Sequence, residues 1–253
     1  MKRRITVLLF VLVGLLAATR VCYADLPGEG YAWPTFRELL QTFILMKGED
    51  ISTPRVADIY GRVVYCELYK TNYSNDYAWR KIRDKIISRA VSNKEYYRIR
   101  YQVAVTFKLG RYDFKKHEFP ISAGQHFSNV NYISLYNKSG NYSTSFCERG
   151  SDPIFSSYYM MELDHPLTID GLSVSDKKVA KLMARMQQAN NFKRMVYARI
   201  RVVVTGAEKG LHLLPQDAYR QIILKGYIAN VDFFLDPRLT EPVGHAIVEG
   251  AEN

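Results

Sequence analysis

Recognisable catalytic and metal-binding signatures are what this sequence has least of. Three cysteines are spread over 253 residues, and none stands at zinc-ligand spacing from another cysteine. The five histidines are His117, His126, His165, His212 and His245, and no two of them form a helical His-x-x-x-His pair. Gly48, Gly61 and Gly110 are isolated, so neither a phosphate loop nor a dinucleotide fingerprint is present. The Gly-x-Ser-x-Gly elbow and the alternating acids of a calcium loop are absent too. No cofactor and no metal is therefore expected. Past the first twenty or so residues there is no apolar run long enough to span a bilayer, so the mature chain is expected to have no transmembrane span.

The N-terminus carries the clearest pattern. Lys2, Arg3 and Arg4 precede an apolar run from Ile5 to Ala18, and a short stretch to Ala24 follows. Positive head, apolar middle and small residue at the cut make the layout of a secretory signal. Residues 1–24 are read as that signal, cleaved near Ala24, which predicts a periplasmic or secreted protein. A membrane anchor is the competing reading, but the run is about 14 residues where a span takes about 20. Cys22 fits lipidation poorly, since Thr19, Arg20 and Val21 separate it from the small residues. Residues 1–24 hold four basic residues and no acidic one, so cleavage lowers the net charge from +10 to +6. Cys66 and Cys147 remain. They either form a disulfide, closing a loop of about 80 residues, or pack as two buried thiols.

Hydrophobic spacing predicts helices first. Phe36, Leu39, Leu40, Phe43 and Ile44 recur at helical intervals after Thr35, and Gly48 marks the end. Thr53-Pro54 starts a second helix that continues through Leu68, although Gly61 weakens the pattern. Asn75-Asp76 opens a third through Trp79, Ile82 and Ile86, with Arg80, Lys81, Arg83, Lys85 and Arg89 on its other face. Strict alternation then predicts a strand over 96–109 and a hairpin return over 112–119. Residues 121–174 read as short strands and exposed loops. A helix is expected from Ser175, a strand over 194–205, a short helix from Leu214 through Ile223, a central strand over 227–235, and a loop from Asp236 onward. Segments 76–109 and 176–205 share a helix–strand layout, which is either a repeat or two ordinary pairs. The expectation is one α+β domain over 25–253, with a mostly antiparallel sheet and packed helices, preceded by a helical N-terminal region at 35–91.

Two functional readings follow. Tyr96, Arg98 and Arg100 alternate on one predicted strand, and Tyr197, Arg199 and Arg201 on the other. If both strands share a sheet, the arginines gather on one face, where like charges repel unless an anion or a protein carboxylate neutralises them. Guanidinium forks suit carboxylate and phosphate, and tyrosine supplies rigid contact area. The expected role is a non-catalytic, envelope-associated binding or assembly protein that recognises an anionic lipid, a glycan or an acidic protein. The plainer reading is that these arginines lie under helices or pair with Glu95, Glu162 and Asp232. Nucleic acid is disfavoured, because no recognition module is legible and the charge is modest. The alternative is a hydrolase acting on an envelope polymer, with Asp164-His165 orienting a base beside Ser156 or Ser157.

Overall fold

The first helix begins where its capping residue stands. A computed structural model describes residues 30–93, 97–122, 127–136, 146–174, 178, 181–182, 194–213 and 220–246. Thr35 is extended, and its hydroxyl oxygen accepts the Glu38 N–H at 3.2 Å, which satisfies one of the orphan donors of the first turn. Helix α1, Phe36–Leu45, buries Phe36, Leu39, Leu40, Phe43 and Ile44. It closes in a Schellman pattern, with the Lys47 N–H bonded to the Ile44 carbonyl and the Gly48 N–H to that of Phe43. Lys47, not the glycine, takes the left-handed conformation, at φ 62°. Gly48 is required for room, since a Cβ there would overlap the Phe43 ring. Gly48→Ala is expected to displace that ring and cost about 1–3 kcal/mol. An unchanged urea midpoint would contradict this packing.

The second predicted helix is two. Helix α2, Pro54–Val64, ends at Tyr65 (φ −120°, ψ 50°), and α3, Cys66–Asn72, starts directly after it. The break places Cys66 against Cys147, and the two form a disulfide with Cα atoms 5.7 Å apart. It also brings Tyr69 edge-on to Trp79 of α4, Asp76–Ser92, with ring centroids at 5.1 Å. Gly61 is where Trp79 crosses α2: a Cβ there would lie 2.9 Å from the indole. Asp58 accepts the Trp79 Nε1–H at 2.7 Å and two Arg83 donors at 2.7 and 3.0 Å.

The first turn of α2 is tied down as well. Arg55 donates to both oxygens of Asp152, at 2.7 and 3.1 Å, just before the 3-10 turn Pro153–Ser156. Burial works against the charged carboxylate, but Arg55 and the Ile154 N–H outweigh it and hold its pKa below the ordinary value. A carboxyl depressed in the folded state contributes stability above its unfolded pKa, and that contribution is lost as pH falls through the folded value. The stability gap between wild type and Arg55→Gln is therefore expected to shrink in urea titrations run from about pH 5 to about pH 2. A constant gap would mean that the pair is not what Arg55 contributes.

The strands are β1 Arg100–Lys108, β2 Glu118–Pro120, β3 Val130–Tyr136, β4 Tyr158–Leu167, β5 Gly171–Ser173, β6 Met195–Ala207, β7 His212–Leu213, β8 Arg220–Phe234 and β9 Pro242–Ala246. The main sheet has the order β1-β6-β8-β4-β3, with β7 and β9 also on β8. Its strand pairs are antiparallel except β4 with β8. The fold is thus α+β, with N-terminal helices followed by a mixed, mostly antiparallel sheet.

Several expectations change. The partner of β1 is β6, from Arg100 opposite Val203 to Lys108 opposite Met195, not a hairpin return. Asp113 accepts the N–H groups of Lys115 and Lys116, and His117 is left-handed at φ 55°. The chain therefore curls, and only β2 extends, paired with β5. Ile222 and Ile223, expected on a helix, lie in β8, while 214–219 are outside the described residues. Gln221, Ile222, Ile223 and Leu224 are all buried, and a strand buried on both faces shows no alternation to read. The C-terminal segment expected as loop holds β9. Of the helix expected from Ser175, Lys178, Lys181 and Leu182 are described and helical.

Helices and sheet share one continuous core. Helix α1 lies on the sheet face that carries Tyr101 and Tyr159. The Thr42 hydroxyl hydrogen-bonds that of Tyr101 at 2.6 Å, and Phe36 meets Tyr159 edge-on at 5.8 Å. The opposite face of β1, β6 and β8 holds the charged residues.

Candidate anion-binding face

Alternation along β6 puts Tyr197, Arg199 and Arg201 on the face away from α1. Across from them on β1 stand Thr106, Ala104 and Gln102. On β8 the partners are Phe234, Asp232 and Asn230. Arg100, opposite Val203, belongs to the same face and is exposed. Arg199 and Arg201 both reach one oxygen of Asp232, Oδ2, at 3.0 and 3.3 Å. The Asn230 amide donates to the other oxygen at 3.1 Å. Aromatic rings flank both arginines: the Arg199 guanidinium lies 4.7 Å from the Phe234 centroid, and that of Arg201 lies 5.6 Å from Tyr31. Tyr31 is brought there by its neighbour Ala32, which bridges to Tyr101 and extends the sheet edge.

Arg100, Arg199 and Arg201 thus share a face, and the last two share the carboxylate of Asp232. The guanidiniums of Arg199 and Arg201 are oriented by an ion pair and a ring each, so little side-chain freedom is left to lose on binding. Both keep about a quarter of their side-chain surface open, 24% and 28%. Hydrogen-bonded forks of this kind suit carboxylate or phosphate oxygens.

Not every predicted member is there. Arg98 precedes β1, and its carbonyl is taken by the hydroxyls of Thr42 and Tyr101. Its side chain turns to the helical layer, where Nε lies 3.6 Å from Glu38 of α1. It lines a recess of about 310 Å³ with Arg37, Gln41, Tyr60 and Tyr97. Strand alternation does not extend to Arg98 because the strand begins at Arg100. Tyr96 and Glu95 lie outside the described residues. Of the carboxylates considered as internal partners, Asp232 does pair with the arginines, whereas Glu162 pairs with Lys225. Asn230, Phe234 and Tyr31 were missed. The first two break the apolar run of β8 or cap it, which is a usable signal. Tyr31 arrives through a parallel bridge that leaves no periodic trace.

The hydrolase reading finds little geometry. His165 is exposed near the end of β4, and the buried Ser157 hydroxyl donates to the Pro153 carbonyl at 2.9 Å just before that strand. Eight residues of extended chain separate the two, roughly 26 Å. His212 does meet an acid, Glu208, at 3.4 Å. Lys225, however, joins Glu208 and Glu162 at 3.1 and 3.4 Å, and their hydrogen bonds hold its pKa above the ordinary lysine value. The Glu208 carboxylate is thus shared between His212 and Lys225. Among the described residues no group of three or more His, Cys, Asp and Glu is placed to hold a metal ion. None of the described helices is long and apolar enough to cross a membrane.

The model of a family described as a domain of unknown function, DUF4852, matches residues 54–195. That is more than half of the chain, and the protein belongs to this family. The matched span takes in α2, α3, α4 and both disulfide cysteines, and it stops short of Tyr197, Arg199 and Arg201. No curated protein and no solved structure matches the chain.

Proposed function

We propose that this is an exported, non-catalytic envelope protein that binds an anionic ligand or acidic protein surface through the open face of β1, β6 and β8. The observation that carries the reading is the convergence of Arg199 and Arg201 on Asp232, with Arg100 on the same face and no second described carboxylate paired to the two. Export to the periplasm or beyond, after cleavage near Ala24, is supported by the N-terminal layout and by the Cys66–Cys147 disulfide, a bond that persists in oxidising compartments.

The test is binding of the purified protein to phosphatidylglycerol vesicles and, separately, to a uronate-rich glycan across a salt series. The Arg100→Gln/Arg199→Gln/Arg201→Gln variant serves as comparison. Each arginine near an anionic surface contributes roughly 1 kcal/mol, so the variant is expected to bind at least about tenfold more weakly at low salt, and the gap closes as salt screens it. Which ligand shows the gap identifies its source. Equal binding of both ligands by a folded variant would sink the proposal.

A further inference from the structure

The helical layer has a second surface that the sheet face does not use. Between α3 and the C-terminal half of α4 runs an open groove of about 480 Å³, lined by Tyr65, Leu68, Ile82, Lys85, Ile86 and Arg89. Its floor is apolar and recessed, with Ile86 at 3% exposure, while Leu68 stands at its edge at 47%. Lys81, Lys85 and Arg89 follow one another at four-residue intervals along α4, so their cations form a line of about 12 Å. None of the three makes an ion pair with a described residue. Lys81 rests instead on the Tyr77 ring, 4.5 Å from its centroid. The contrast with Arg83 on the same helix is informative, since that residue is fully engaged with Asp58. The groove lies inside the span that defines the family.

We infer that this groove docks an acidic amphipathic helix of a partner protein. An apolar floor with a one-sided row of cations is the complement of a helix that carries leucine-like anchors on one stripe and carboxylates beside it. A row of charges matches acids repeated along a helix better than it matches a single lipid headgroup. A flat bilayer would meet Leu68 at the edge but leave the recessed floor at Ile86 uncovered. A second copy of the chain is opposed by charge, given a net charge of +10 that stays positive, at +6, without residues 1–24. The inference does not depend on the arginine face.

The probe is a labelled synthetic helix with a leucine stripe flanked by glutamates, measured against its lysine counterpart and against phosphatidylglycerol vesicles. Binding of the acidic helix is expected. Leu68→Glu and Lys85→Glu/Arg89→Glu, all at exposed or groove-edge positions, are each expected to weaken it by about tenfold or more. The sheet-face variant Arg199→Gln/Arg201→Gln is expected to bind the helix as wild type does, which separates this surface from the other. Three results would overturn the inference: no saturable binding of the acidic helix, equal binding of the lysine helix, or folded groove variants that bind like wild type. Vesicle binding that depends on Lys85 and Arg89 without helix binding would overturn it in favour of a membrane contact.

Discussion

Replacing Cys66 and Cys147 together by alanine is expected to lower the unfolding free energy by about 2–5 kcal/mol. The bond spans 81 positions of sequence, so its loss returns a large closed loop to the freedom of an open unfolded chain. It also joins the start of α3 to the 3-10 turn Phe146–Glu148. Arg62 sits beside the junction, donates to the Phe146 carbonyl at 2.7 Å, and lies over the rings of Phe146 and Phe155 at 4.6 and 5.2 Å. Those contacts lose their tether when the bond is gone. Denaturant titrations with and without reductant give the check. Reductant is expected to shift the wild-type midpoint to that of the double variant and to leave the variant unmoved. A wild type insensitive to reductant after full thiol exposure would show that the bond carries no stability.

A comparable loss is expected from Trp79→Ala, about 3–5 kcal/mol. The indole is 2% exposed and fills the gap above Gly61, edge-on to the stacked rings of Tyr69 and Tyr73. Trp79→Phe separates packing from polarity. The phenyl ring keeps most of the volume and loses only the bond to Asp58, whose carboxylate retains both Arg83 donors. That variant is expected to lose roughly 1–2 kcal/mol. Equal losses in the two would place the energy in the Asp58 bond, contrary to this account.

What was legible in the sequence follows from where one face of an element is wet. The helices α1 and α4 and the strands β1 and β6 alternate apolar and polar residues because one side packs and the other meets water, and each was readable within a few residues. Ile222 and Ile223 were misread because β8 is buried on both faces there, so its period vanishes. The break at Tyr65 leaves no mark in the hydrophobic spacing, since Leu68 continues the helical interval across it. It coincides with the Cys66–Cys147 disulfide, a tertiary contact that residue spacing does not show. The site was partly legible for the same reason. Arg199 and Arg201 follow from alternation, and the pairing of β1 with β6 then supplies Arg100. Arg98 departs because tertiary hydrogen bonds from Thr42 and Tyr101 hold its carbonyl and end the strand period. The groove beside α4 was visible only as a row of basic residues on a helix, because its floor needs α3 folded back alongside.

The central claim is that the arginine face is a binding surface held half-neutralised by Asp232, and Asp232→Asn tests it most directly. A purely structural ion pair and a ligand site respond in opposite directions to this change. If Asp232 competes with the ligand for Arg199 and Arg201, the folded variant is expected to bind the responsive anion about fivefold more tightly at low salt, the worth of one removed carboxylate at roughly 1 kcal/mol. The salt dependence should steepen as well. Unchanged or weaker binding by a folded Asp232→Asn protein would contradict the account, leaving Arg199, Arg201 and Asp232 as an internal ion-pair cluster of the sheet.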